Sequence, residues 1–129
     1  MVEHYLTEAL ITAGAKLVHQ LDASGLSPDA AFWLYSPEAQ SWKLYLTEVK
    51  LSNQGPKAAY SQLQNILSRY SHDLPGLSLH DVVLETPEAP IIALLKKAIR
   101  TGRALSRIRF TNNVIDGTLI PDALIYRVT

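Results

Sequence analysis

Two carboxylates and a lysine carry the most specific chemistry in this chain. Asp29 follows Pro28 at the head of an aromatic-rich run, and Glu48-Val49-Lys50 closes the next alternating run. Read as the two strands of a hairpin, these segments bring one acid from each strand together. Paired acids of this kind hold Mg²⁺ or Mn²⁺, hard cations that take carboxylate oxygens and fill their shell with water and phosphate oxygens. The metal lowers the pKa of a bound water, and a neighbouring lysine assists the attack. Glu48 and Lys50 are two residues apart on a strand, so both project from one face. Asp29 joins them only if Tyr35 faces Trp42; a slip of one residue sends it to the opposite face. The plainer reading makes Asp29 a turn residue after proline, and Glu48 and Lys50 solvent-facing charges near a strand end.

A second constellation is cationic. Lys96, Lys97, Arg100, Arg103, Arg107 and Arg109 lie between Pro90 and Phe110 with no acid among them, half of the chain's 12 Lys and Arg. Lys96, Arg100, Arg103 and Arg107 step by three or four residues and share a face if a helix continues through them, with Lys97 beside it. Such a stripe binds phosphates by counterion release. Its plainer reading is a solvated surface with cations near a helix C-terminus, where the dipole favours them. The histidines are dispersed at His4, His19, His72 and His80, without the i, i+4 pairing of a helical zinc site. Nucleophile-elbow, phosphate-loop and dinucleotide patterns do not occur. Trp33, Tyr35, Trp42 and Tyr45 fall on facing strands, and core packing with cross-strand pairing accounts for them more simply than base stacking.

The elements that position these residues follow from periodicity. Apolar residues at three- and four-residue steps from Tyr5 to Leu21 predict a helix over Val2 to Leu21, stopped before Ser24-Gly25. Ala30 to Tyr35 and Trp42 to Leu51 predict a pair of strands around the turn Ser36 to Ser41. A second helix starts near Pro56, with Ala59, Tyr60, Leu63, Ile66, Leu67 and Tyr70 on its apolar face. A third strand is expected over Asp81 to Glu85 and a third helix from Ile91 to about Thr101, ended by Gly102. Ile108-Arg109-Phe110 and Ala123 to Val128 are the last clear strands. Asn112-Asn113 and Asp116-Gly117 between them read as turns, with Val114 and Ile115 as a short strand of their own.

The 129 residues suit one domain, 1–129, with 47% apolar residues and zero net charge. Domains commonly run to about 100–150 residues and bury a core without staples at that size. The absence of cysteine excludes disulfide frameworks, thiolate zinc sites and thiol catalysis, and suits a cytoplasmic location. No basic n-region or apolar h-region opens the chain, and no apolar run approaches the roughly 20 residues of a membrane helix.

Several segments together resemble a family of small bacterial proteins of uncharacterised activity. They are Ala31-Phe32-Trp33-Leu34-Tyr35, Trp42-Lys43-Leu44, Gly55-Pro56-Lys57-Ala58-Ala59-Tyr60, and Ile120-Pro121-Asp122-Ala123-Leu124-Ile125-Tyr126-Arg127. The resemblance implies a shared fold and supplies no activity. In that family the segment matching Glu48 and Lys50 is neutral and ends in a Ser-Pro-like step, and this chain departs from it there. The Asp29, Glu48, Lys50 spacing separately resembles the PD-(D/E)xK nuclease signature.

The expectation is therefore an α+β, single two-layer domain. About five mostly antiparallel strands form one sheet with three helices, in the order α-β-β-α-β-α-β-β. Its expected role is that of a non-catalytic interaction module without cofactor, metal or membrane contact. It binds nucleic acid through Lys96, Lys97, Arg100, Arg103 and Arg107, or it binds a protein. Among proteins, a second copy is the natural partner, through an exposed edge such as Ala123 to Val128. The alternative is a Mg²⁺- or Mn²⁺-dependent nuclease using Asp29, Glu48 and Lys50.

Overall fold

In a computed structural model, residues 5–47, 55–74 and 76–129 are described. The element order is α1 (Glu8–Ala23), β1 (Ala30–Ser36), β2 (Ser41–Thr47), α2 (Gly55–Arg69), a 3₁₀ turn (Leu79–Asp81), β3 (Val82–Glu85), α3 (Pro90–Ala98), β4 (Ile108–Ile115) and β5 (Thr118–Val128). The three helices and five strands come in the expected order. The strands form one sheet ordered β3-β2-β1-β5-β4. Three of its pairings are antiparallel, and β2–β3 is parallel because α2 carries the chain across between them.

Helices cover both faces of this sheet, so the two expected layers become three. α1 and α2 bury Leu17, Leu21, Leu63 and Ile66 against Ala31, Trp33, Leu44 and Leu124. α3 buries Ile92 and Leu95 against Phe32, Ile120, Ala123 and Ile125 on the opposite face. The reason is legible in β1 and β5. Ala30-Ala31-Phe32-Trp33 and Ala123-Leu124-Ile125-Tyr126 are unbroken apolar runs, which leave no face suited to water.

α1 begins at Thr7, whose hydroxyl accepts a hydrogen bond from the Leu10 N–H at 3.2 Å. It ends in a Schellman motif. Gly25 sits at φ 77°, its N–H reaches Asp22 O at 3.2 Å, and the Leu26 N–H reaches Leu21 O at 2.8 Å. Leu26 is buried beside that turn, which aims Ser27-Pro28-Asp29 into the start of β1. α3 stops at Ala98, earlier than the spacing predicts, and Ile99 is already extended at φ −151°. The cations from Arg100 to Arg107 therefore lie outside α3 and do not line one helix face. Asn112 and Asn113 belong to β4, with Asn112 left-handed at φ 52°. The turn lies at Asp116-Gly117, where φ values of 50° and 81° suit a two-residue hairpin.

Ala123 to Val128 is interior, paired with β1 on one side and β4 on the other as far as Ile125. It is not the exposed edge expected for self-association. The edges are β3 and β4.

Candidate functional site

The Schellman turn after α1 brings Asp22, Ser27 and Asp29 to the end of the sheet where β1 starts and β5 finishes. A bulge completes the cluster. The β1–β5 register shifts between Ala31 and Phe32, which pair with Arg127 and Ile125 and leave Tyr126 as an extra residue. Neighbouring strand residues ordinarily face opposite ways, but a bulge re-aims one of them. Tyr126 and Arg127 both turn toward α1, whereas Val128 packs with the α3-side core.

Arg127 is only 2% exposed. Its guanidinium donates to both Asp22 carboxylate oxygens at 2.9 and 2.7 Å, to Ser27 Oγ at 3.2 Å and to the Pro28 carbonyl at 3.0 Å. Its Nε, also buried, has no hydrogen-bond partner among the described residues. The hydrogen bond from Arg127 holds the Asp22 carboxyl below the usual aspartate range, with Ser27 adding to the effect against the opposing push of burial. Arg103 reaches the same cluster from the segment after α3, donating to Asp29 Oδ1 at 3.0 Å and Ser27 Oγ at 2.7 Å. Two guanidinium groups and two carboxylates thus meet around one serine oxygen. The set is neutral and polar, and its arginine-rich composition suits clamping α1, β1 and β5 together.

The metal-site residues are placed only in part. Tyr35 stands opposite Trp42, the register that the Asp29–Glu48 pairing requires. Glu48 and Lys50 lie outside the described residues. Asp29 has its carboxylate on Arg103, and its N–H donates to Thr47 Oγ1 at 2.8 Å. Among the described residues, no group of three His, Asp or Glu side chains is placed to hold a metal ion. A groove of about 400 Å³ beside α1 is lined by Thr12, Lys16, His19 and Asp73 and contains no such group.

The cationic segment is largely neutralised within the fold. Lys97 pairs with Asp116 at 2.5 Å, Arg103 with Asp29, and Arg107 with Glu8. Arg109 forks onto both oxygens of Asp122 at 2.6 and 2.7 Å and lies over the Trp42 ring, 5.4 Å from its centroid. These bonds hold the Glu8 and Asp116 carboxyls below their ordinary values. Lys96 and Arg100 have no carboxylate partner among the described residues.

The two sheet edges differ in their cover. β3 is four residues long, and its Leu84 N–H donates to the Tyr60 hydroxyl of α2 at 3.1 Å. β4 is eight residues long, and no described strand pairs with its outer side. The β1–β5 pairing ends at Leu34 opposite Ala123, so Thr118 to Asp122 run on beside β4 alone. One face of this projecting hairpin packs Ile115 and Ile120 into the α3-side core. Val114 and Leu119, paired with each other, remain 67% and 54% exposed. Comparison with protein-family models, curated proteins and solved structures finds no match to the chain.

Sequence reasoning singled out Asp29 and Arg103 separately and missed that they pair. It also missed Asp22 and Arg127. One signal was present: a lone charge inside the apolar run Leu124-Ile125-Tyr126-Arg127-Val128 requires a buried counter-charge.

Proposed function

We propose that this chain is a non-catalytic interaction module whose partner is another protein, engaged along β4 and the projecting β4–β5 hairpin. The observation that carries this reading is the eight-residue edge of β4, along whose outer side no described strand pairs, with Val114 and Leu119 exposed at its end. An edge of this kind offers unpaired N–H and C=O groups to an added strand, and nearby side-chain contacts supply selectivity. A nucleic-acid partner is less well supported, because Lys97, Arg103, Arg107 and Arg109 already hold carboxylates. The resemblance to a family of small bacterial proteins suits such a role, and the cysteine-free composition suits a cytoplasmic one. No helix among the described residues is long and apolar enough to cross a membrane.

The nuclease reading with Asp29, Glu48, Lys50 and Mg²⁺ or Mn²⁺ draws on one observation, the Tyr35–Trp42 register. Against it, a divalent ion has to displace the Arg103 guanidinium from Asp29. A titration of labelled DNA and RNA at falling salt separates a protein partner from a nucleic-acid one. We expect weak binding with a shallow salt slope, since among the described residues Lys96 and Arg100 are the cations of the segment that hold no carboxylate. A log–log slope near −4 or steeper, the mark of about five neutralised phosphates, overturns the reading in favour of nucleic acid.

A further inference from the structure

We propose that residues 100–107 form a strap, latched over the end of the sheet by two exposed ion pairs, and that ionic strength sets how often it opens. The segment leaves α3 where Ile99 turns extended and forms no helix or strand before β4. It takes up backbone groups that β4 leaves unpaired. β4 pairs with β5 only as far as Ile125. Beyond that residue, the Ser106 N–H donates to the Tyr126 carbonyl at 2.6 Å and the Thr101 N–H to the Val128 carbonyl at 2.7 Å. The Val128 N–H in turn donates to Thr101 Oγ1 at 2.9 Å. The strap therefore covers the outer side of β5 from Tyr126 to Val128, which is a bare edge without it.

What else holds the strap is mostly charge. Gly102 to Leu105 are all exposed, and a Cβ added at Gly102 meets nothing within 4 Å. Leu105 lines a cavity of about 330 Å³ with Ile11, Ala15 and Tyr126 rather than filling it. The latches are Arg103, on Asp29 and Ser27 at the entry to β1, and Arg107, on Glu8 in the first turn of α1. The charged side chains of both pairs are between 43% and 70% exposed. Ion pairs exposed to this degree are weak and are screened by salt. The sheet beneath is fastened differently: β1 pairs on both sides and buries Phe32 and Trp33. A segment with few buried apolar contacts and exposed bonds opens well below the cost of global unfolding. Opening frees the Tyr126 and Val128 backbone groups and lifts Leu105 from the cavity. The buried Arg127–Asp22 pair stays in place and keeps α1 on β5.

Native-state hydrogen exchange of the full chain, followed amide by amide by NMR, tests this. The Thr101, Ser106 and Val128 amides are expected to share one protection factor, about tenfold or more below that of the β1 amides from Phe32 to Leu34. NaCl at about 1 M shortens the Debye length to about 3 Å. Relative to β1, it should lower the protection of the strap amides together by about 2- to 30-fold, the range for losing two exposed ion pairs. Glu8→Gln and Arg107→Gln should each reproduce part of that fall. The double variant should add nothing to either, because both changes break the same latch. Asp29→Asn breaks the other latch and should add to Glu8→Gln. Strap amides as protected as β1 overturn the proposal, as does protection that neither salt nor the latch variants lower. So do additive effects of Glu8→Gln and Arg107→Gln. A Glu8→Gln effect confined to Ser106, with Thr101 unmoved, also overturns it, since the segment then frays in pieces instead of opening as a strap.

Discussion

Gly14→Ala is expected to destabilise this protein, against the ordinary rule for helices. In an exposed helix interior the change gains about 1 kcal/mol. Here Gly14 faces two aromatic side chains that are each 1% exposed. A Cβ at position 14 falls 2.5 Å from the Tyr126 hydroxyl and 2.8 Å from Trp33 Nε1. Neither group can swing away. Trp33 Nε1 donates to the Tyr126 oxygen at 2.9 Å, and that hydroxyl donates to the Ile11 carbonyl at 2.5 Å. Overpacking costs about 1–3 kcal/mol, and weakening two buried hydrogen bonds costs about 1 kcal/mol each. After the helix gain, the net loss is about 2–4 kcal/mol, a large share of a typical total of roughly 5–15 kcal/mol. Urea unfolding followed by tryptophan fluorescence measures it, since Trp33 sits in the contact. Tyr126→Phe alone leaves the Trp33 N–H unpaired and costs about 1–3 kcal/mol. It also removes the atom nearest the new methyl, so the double variant should lose at least about 0.5 kcal/mol less than the sum of the singles. A Gly14→Ala protein as stable as the parent, or strict additivity with Tyr126→Phe, refutes the packing argument.

Asp22→Ala strands the buried Arg127 guanidinium and is expected to cost about 3 kcal/mol by urea unfolding. Because Arg127 lowers the folded-state pKa of Asp22, the unfolded chain takes up the proton first, near pH 4. The contribution of Asp22 is therefore complete above that pH and is lost as pH falls through the lower folded value, and Asp22→Asn should flatten that acid limb. Burial raises the Tyr126 pKa, so its stabilising effect is present below the ordinary tyrosine value of about 10 and declines as pH rises beyond it. In an alkaline absorbance titration Tyr126→Phe should leave the signal of the folded protein near that pH unchanged. Incubated with Mn²⁺ and single- or double-stranded DNA, the chain should leave the substrate intact. Cleavage lost in both Asp29→Ala and Glu48→Ala would establish the metal-dependent nuclease instead.

The elements were legible because each announces itself locally. The α1 stripe, the aromatic β1, the Asp116-Gly117 turn and the final apolar strand all depend on neighbours a few residues away. Even the third layer was written in β1 and β5, whose unbroken apolar runs demand cover on both faces. The shared face of the cationic segment depended on the helix continuing through it; the spacing is helical, but Ile99 is extended and the helix ends at Ala98. Its charge partners, Glu8, Asp29, Asp116 and Asp122, come from four separate places in the chain. Periodicity carries no information about such long-range pairs. The bulge at Tyr126 was likewise hidden, since one extra residue in a register shows only when β1 and β5 are aligned.

Site-directed photo-cross-linking in the cell that makes this protein tests the interaction reading most directly. A cross-linking residue is placed at Val114 on the β4 hairpin, at Glu85 on the covered edge, and at Arg100 in the cationic segment. The account predicts one discrete adduct from position 114, destroyed by protease and resistant to nuclease, with little from positions 85 and 100. A nuclease-sensitive adduct from position 100, with none from 114, would contradict it.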